Sequence, residues 1–126
     1  AVYVDNPVLD LCSWPGSELK KQLSNRGDWE AFKKDYGFTN DSAALKFRGS
    51  PLYKVKAIVK GRYPVLHLLA DADTVVPPAE NTLPFEKAVR ALHGNITVMH
   101  KPGFEHHPHS FPDPTPIVDF ILKNSL

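Results

Sequence analysis

The sequence predicts an α/β domain, with parallel strands that alternate with helices. The 126 residues contain three short runs of strand length that are rich in apolar or β-branched residues. A stretch with helical spacing separates the second run from the third, and a long, mostly helical excursion separates the first from the second. Strands that alternate with helices imply parallel crossover units. We therefore expect one domain, with three mainly parallel strands at 1–5, 64–70 and 95–100 and a helical, cap-like excursion at about 12–62.

The first strand is predicted from an alternating run that is rich in Val and Tyr and that starts at Ala1. Asn6-Pro7 and Trp14-Pro15-Gly16 mark the loop that follows. Capping residues then predict the helical segments of the excursion. These are a helix over 17–25 capped by Ser17, a helix over 29–36 capped by Asp28, a helical turn from Asp41, and a helix over 51–60 that begins at Ser50-Pro51.

The second half of the chain alternates more regularly. Residues 63–70 form a nearly continuous apolar run, which is typical of a strand buried on both faces. A helix over about 80–92 accommodates Pro84 in its first turn, where the missing N–H costs nothing. The β-branched strand at 95–100 follows. Thr115-Pro116 then opens a last helix, which runs to about Lys123.

Composition excludes several classes of function. The formal charge is +1, with 15 basic and 14 acidic side chains and no basic stripe, so nucleic acid is not an expected partner. No apolar run reaches the ~18 residues of a membrane span. One cysteine allows no internal disulfide. The sequence predicts no cofactor and leaves the compartment open, since a signal upstream would direct a bacterial protein to the periplasm or the exterior.

Two polar loops follow strands directly, at 70–78 and at 101–113. In open parallel sheets, ligands collect outside the carboxyl ends of the strands, so both loops are expected at the same edge. Asp71 and Asp73 lie in the first loop, and His106 lies in the second. One interpretation is that a carboxylate orients a histidine that acts as a general base. The alternative is that these aspartates only cap turns, because Asp is common in loops.

The second loop is also rich in histidine, with His106, His107 and His109 close together. A metal site is therefore an alternative to a catalytic base. Against it, Pro108 stiffens the run, and neighbouring histidines on an extended stretch point in opposite directions. No second cysteine is available, and helical His-Glu-x-x-His spacing is absent. We accordingly predict no metal site. A purely structural loop stays open as a further alternative.

The two loops resemble those of a known family. Residues 70–77, Ala-Asp-Ala-Asp-Thr-Val-Val-Pro, are similar to the G-x-x-D-x-x-V-P acid loop of α/β-hydrolase esterases and peptidases. Residues 103–106, Gly-Phe-Glu-His, resemble the G-x-G-H histidine loop of the same enzymes. The acid also precedes the histidine, and His106 follows Asp73 by 33 positions. The resemblance covers essentially the whole chain and is nearest to bacterial acetyl-esterase-like and prolyl-oligopeptidase-like groups.

The resemblance implies that Asp73 and His106 are catalytic, with Asp71 as the alternative acid and His107 as the alternative base. It also implies that Trp14 and His107 contact substrate, although Trp14 packing under the cap helices and His107 shaping the loop rim are the alternatives. The chain departs from the pattern at Ala70 and at Glu105, which replace glycines. Glu105 places a second carboxylate beside the histidine, or it points to water.

The largest departure is the missing nucleophile. No serine lies in a Gly-x-Ser-x-Gly context, which is where the family carries it. The resemblance therefore implies the C-terminal half of a serine ester hydrolase, inactive alone, which acts on acylated substrates such as acetylated carbohydrate. Its partner would be the N-terminal half, or a second copy, covering the exposed edge of the sheet. The rival hypotheses are a non-catalytic scaffolding domain with hydrolase-like topology and a His-cluster metal-binding domain.

Overall fold

The computed structural model describes residues 1–16 and 26–125. The helix predicted over 17–25 lies outside the described residues. The strands are β1 (Val2–Asp5), β2 (Val65–Ala70) and β3 (Ile96–Lys101). The α-helices are α1 (Arg26–Asp35), α2 (Asp41–Ala44), α3 (Val55–Lys60), α4 (Thr82–Ala91) and α5 (Thr115–Lys123), with 3-10 turns at Pro51–Tyr53 and Pro78–Glu80. No described helix is long and apolar enough to cross a membrane.

The three strands form one parallel sheet in the order β1-β2-β3. Val65 of β2 is aligned with Val2 on one side and with Ile96 on the other. The predicted α/β class and the three parallel strands are confirmed. All six residues of β2 are buried. This agrees with its apolar sequence, because a central parallel strand is covered on both faces.

The sheet is covered by helices on both faces. Because successive side chains of a strand point to opposite faces, β2 contributes to two separate cores. On one face Val65 belongs to a cluster with Phe85 and Val89 of α4. On the other face Leu66 and Leu68 pack with Ile117 of α5. These contacts hold β2 between two layers of helices, and the polar loops start from the carboxyl ends of β2 and β3.

The excursion before β2 has a core of its own. Trp29 and Phe32 of α1 pack with Ala44 of α2. Asp41 joins the two helices, since its Oδ1 accepts hydrogen bonds from Trp29 Nε1 and from Lys33 Nζ, each at 2.8 Å. The excursion is therefore held together by an aromatic cluster and one carboxylate.

Two predicted helix starts in the excursion are wrong. Asp28 lies inside the first turn of α1, so it is not the capping residue. The helix predicted over 51–60 is divided into a 3-10 turn and α3. Ser50 makes no side-chain cap. Its hydroxyl instead accepts the N–H of Leu11 at 3.0 Å, which ties this turn to the loop after β1.

His67 of β2 predicts a pH-dependent stability. Its side chain is buried, its Nδ1 lies 3.4 Å from Thr82 Oγ1, and its ring stacks on Phe85 with centroids 5.1 Å apart. Burial lowers the pKa of His67 from 6.5 to about 4. The unfolded chain therefore binds this proton first as the pH falls. The contribution of neutral His67 is complete above pH ~6.5 and is lost progressively towards pH ~4.

We expect about 2–3 kcal/mol of unfolding free energy to be lost through His67 between pH 7 and pH 4.5. Urea unfolding of the wild type and of His67→Gln at both pH values measures this loss. His67→Gln lacks the titrating ring, so between the two pH values its unfolding free energy should fall by about 2–3 kcal/mol less than that of the wild type. Equal losses in the two proteins would contradict the assignment.

Candidate active site

The acid loop begins where β2 ends. The Asp73 N–H donates to the carbonyl of Ala70 at 3.2 Å, which turns the chain directly after the strand. The Asp73 side chain is 1% exposed, and its Oδ1 accepts the N–H groups of Val75 at 2.9 Å and Val76 at 2.8 Å. An Asp that accepts the N–H two residues ahead stabilises a tight turn through its own side chain. One carboxylate oxygen is thereby fixed, and Oδ2 is left for another partner.

The histidine loop begins where β3 ends, with the turn 101–104. Gly103 has a φ of +75°, and the Phe104 N–H donates to the Lys101 carbonyl at 3.3 Å. Pro followed by a glycine with positive φ is typical of a type II turn. The carbonyl of Phe104 then accepts the N–H of Ala72 at 3.0 Å. This bond places the histidine loop beside the acid loop, at the same edge of the sheet, as the sequence predicts.

Asp73 and His106 are in direct contact. His106 Nδ1 lies 2.7 Å from Asp73 Oδ2. An ionised carboxylate only accepts hydrogen bonds, so Nδ1 is the donor and Nε2 is the ring nitrogen left for a reacting group. Asp71, the other acid of the loop, pairs instead with the exposed His100, at 2.7 Å. The geometry therefore selects Asp73 and His106 from the two aspartates and three histidines of the loops.

Glu105 braces the two loops against each other. Its Oε2 accepts the backbone N–H of Thr74 at 3.3 Å and the hydroxyl of Thr74 at 3.2 Å. The carboxylate therefore points to the acid loop and not simply to water. This bond lies beside the Asp73–His106 pair and limits how far the two loops can separate.

Asn6 is a residue of the site that sequence reasoning did not identify. It is buried directly after β1 and has a φ of +42°. Its Oδ1 accepts the N–H of Ala70 at 2.8 Å, and its Nδ2 donates to the carbonyl of His106 at 3.0 Å. One amide side chain thus joins the ends of β1 and β2 to the histidine loop. Asn6-Pro7 indicates only a loop in the sequence.

Lys101 anchors the far side of the histidine loop from a fully buried position. Its Nζ donates to the Pro108 carbonyl at 3.0 Å and lies 3.5 Å from both the Ser110 carbonyl and Asp5 Oδ1. Asp5 Oδ2 accepts the Ser110 N–H and, at 3.1 Å, the Tyr3 hydroxyl. Burial and Asp5 raise the pKa of Tyr3 to about 12, which keeps that hydroxyl a donor. Sequence reasoning missed this ion pair as well.

The Lys101–Asp5 contact is a charge pair more than a hydrogen bond. Among the described residues, Asp5 Oδ1 has no hydrogen-bond partner, and 3.5 Å is long for an N–H···O bond. The ammonium group makes its hydrogen bonds to loop carbonyls instead. The loop is therefore held by a lysine whose charge, within residues 1–16 and 26–125, is balanced at close range by Asp5 alone.

A cavity of about 230 Å³ opens beside the pair. Trp14 and His106 both line it, together with Asn6, Val76 and His109. Trp14 is half-buried, and its Nε1–H has no hydrogen-bond partner among the described residues. The cavity therefore joins the predicted base to the side chain of Trp14. His107, the other predicted substrate contact, does not line this cavity.

The three histidines of the loop converge. The ring centroid of His106 lies 4.8 Å from that of His107 and 5.2 Å from that of His109, and the latter two are 4.6 Å apart. The expectation that neighbouring histidines point in opposite directions is wrong here, because the segment is a bent loop and not an extended strand. Sequence periodicity carries no signal for this arrangement.

The site provides an oriented base, a buried acid and a cavity. No protein-family model, curated protein or solved structure matches the chain. Among residues 1–16 and 26–125, no serine hydroxyl is hydrogen-bonded to His106. Ser13, for example, is buried and bonded to Asn81. What these residues can do chemically is to accept and return a proton at His106 Nε2.

Proposed function

We propose that this chain is the acid- and base-bearing half of a serine ester hydrolase of the α/β-hydrolase type. The observation that carries the proposal is the 2.7 Å bond between the buried Asp73 and His106, at the carboxyl edge of a parallel sheet. An acid, a base and an adjacent cavity at that edge are what acyl transfer requires from these two loops. The similarity of both loops to the family motifs agrees with this chemistry.

In the proposed reaction, His106 Nε2 takes the proton of a serine hydroxyl as the serine oxygen bonds to the acyl carbon of the ester. The imidazolium then gives that proton to the alcohol oxygen as the ester bond breaks. Water repeats the cycle and releases the acid. Asp73 holds the tautomer with Nδ1–H and stabilises the imidazolium. The serine and the oxyanion donors belong to the other half, so this chain alone should not turn over.

The cavity supports a small acyl group as the part of the substrate held here. Its volume of about 230 Å³ is below the usual size of ligand pockets, so other residues would complete it. Trp14 forms one wall, and His107 would act at the rim of the loop, away from the described lining. Acylated substrates, with acetylated carbohydrate as one class, fit this size and the resemblance.

The edge of the sheet supports a partner that carries the nucleophile. Among the described strands, β1 pairs only with β2, so its other edge is open. An apolar cavity of about 240 Å³ lies over one face of β1 and β2 near this edge and is lined by Val2, Val4, Tyr63 and His67 among others. Open strand edges pair readily with further strands. A strand and helix of the nucleophile-bearing half would cover this surface, and a second copy is the alternative.

A fluorophosphonate probe, which labels activated serines, tests the proposal. The polypeptide encoded upstream of Ala1 and continuous with this chain is expected to contain Gly-x-Ser-x-Gly. The probe should label this polypeptide, and His106→Ala should abolish the labelling. His93→Asn, at an exposed site remote from the loops, should leave the labelling unchanged. The 126-residue chain alone should stay unlabelled and should not cleave p-nitrophenyl acetate. Esterase activity of the isolated chain that depends on His106 would refute the proposal.

A further inference from the structure

The histidine cluster has a geometry that the proposed hydrolysis does not use. His106, His107 and His109 each offer a ring nitrogen, and these atoms lie within 4.8 Å of one another. Hydrolysis requires only His106. The other two rings are exposed and, unlike His106, have no hydrogen-bond partner among the described residues. Imidazole nitrogen is a ligand that suits transition metals, and these three rings converge without bonding to one another.

The distances fit a metal after a small adjustment. Zn–N bonds of about 2.0–2.1 Å in tetrahedral geometry place two nitrogens roughly 3.3 Å apart. The nitrogens here must approach by about 1.5 Å at most, from 4.8 Å. Exposed side chains reach such positions by rotation about χ1 and χ2, and His107 and His109 are exposed. His106 is fixed by Asp73, so it would act as the immobile ligand.

Asp73 already occupies the position of a supporting group. Metal-binding histidines generally donate their second ring N–H to a carboxylate, which fixes the tautomer and increases the basicity of the ligand nitrogen. His106 Nδ1 makes that bond to Asp73 at 2.7 Å. The arrangement that prepares Nε2 to take a proton therefore also prepares it to bind a cation. The two uses of Nε2 exclude each other.

We propose that His106, His107 and His109 bind one divalent transition-metal ion such as Zn²⁺, with Asp73 behind His106, and that the bound ion blocks the base. Binding itself is independent of the proposed function, whereas the blocking of hydrolysis rests on it. Imidazole nitrogen selects Zn²⁺, Cu²⁺ or Ni²⁺ over Mg²⁺ and Ca²⁺, which prefer oxygen ligands. Three protein ligands leave a fourth position to water, as in open zinc sites.

Calorimetric titration of the 126-residue chain with ZnCl₂ tests the binding. We expect one equivalent to bind and MgCl₂ to give no heat. His107→Gln and His109→Gln should each weaken binding at least tenfold, and Asp73→Asn by about 10–100-fold, as for other supporting carboxylates. His93→Asn is the matched control and should bind like the wild type. Circular dichroism of each variant verifies that it is folded.

Two results would overturn the binding site. One is no saturable Zn²⁺ binding at millimolar concentration, and the other is equal binding by the wild type and both exposed-histidine variants. The blocking is tested in the longer, fluorophosphonate-reactive polypeptide. Zn²⁺ should inhibit ester cleavage, and EDTA should restore it. With each protein's rate normalised to its own rate without Zn²⁺, the half-inhibitory Zn²⁺ concentration of His109→Gln should be at least tenfold above that of the wild type. Binding without inhibition would overturn the blocking alone.

The two proposals fail separately. If the longer polypeptide is not labelled by the probe but Zn²⁺ binds with the expected variant pattern, the metal site stands and the hydrolase proposal falls. If labelling occurs and Zn²⁺ does not bind, the hydrolase proposal stands and the metal site falls.

Discussion

Asp73→Asn is expected to lower the kcat of the proposed full-length hydrolase by about four orders of magnitude, the loss typical of this change in a Ser-His-Asp triad. The amide oxygen can still accept the N–H groups of Val75 and Val76, so the loop should keep its shape. The amide nitrogen, however, faces His106 Nδ1 as a donor. It therefore favours the tautomer with the proton on Nε2, which cannot accept the serine proton.

The comparison variant is Asp71→Asn, two residues away in the same loop. Asp71 pairs with the exposed His100 and does not contact His106, so kcat should change little. Both rates are measured with p-nitrophenyl acetate on the longer polypeptide that is proposed to carry the nucleophile. ¹⁵N chemical shifts of His106 in the 126-residue chain report the tautomer directly. A variant Asp73→Asn that keeps more than a tenth of the rate would show that Asp73 is structural.

Asp5→Asn is expected to lower the unfolding free energy by about 3–5 kcal/mol, the usual cost of removing one partner from a buried ion pair. Asn keeps an acceptor for the Ser110 N–H but removes the charge opposite Lys101. The ammonium group is then fully buried, with the Pro108 and Ser110 carbonyls and the Phe104 ring near it but, among the described residues, no paired carboxylate. The histidine loop, which those carbonyls belong to, should loosen with it.

Urea unfolding of Asp5→Asn, Lys101→Met and the double variant completes the test. An apolar side chain of similar length at 101 leaves no buried charge, so the double variant should be more stable than Asp5→Asn alone. Asp71→Asn changes only an exposed contact with His100 and should cost less than about 1 kcal/mol. If the double variant is no more stable than Asp5→Asn, the loss comes from packing at Asp5 and not from the stranded charge.

The sequence was sufficient where local chemistry decides the outcome. The continuous apolar run of β2, the proline-opened helix α5 and the position of Asp73 after a buried strand are all local signals. The juxtaposition of Asp73 and His106 follows from parallel topology, since both loops leave the same edge. Their family relationship remains an interpretation of two short motifs.

The rest depended on contacts between distant segments. Lys101 ends a strand whose sequence favours a solvent-facing lysine, and it is buried only because residues 108–110 fold over it. Ser50 is a good capping residue, but its hydroxyl binds Leu11 instead. The convergence of the three histidines likewise results from the path of the loop. Neither the hydrophobic periodicity of a single sequence nor the identity of neighbouring residues predicts these contacts.

Position 6 illustrates how narrow the choice of residue can be at such a junction. The left-handed backbone there favours Gly, Asn and Asp. Glycine would fit the backbone but would leave the Ala70 N–H and the His106 carbonyl without their partner. Aspartate would accept the Ala70 N–H, but it cannot donate to the His106 carbonyl and would bring an unpaired charge to a buried position. Of these three, asparagine alone meets all the conditions, so a library randomised at this codon and selected for stability should be rich in Asn and poor in Gly and Asp.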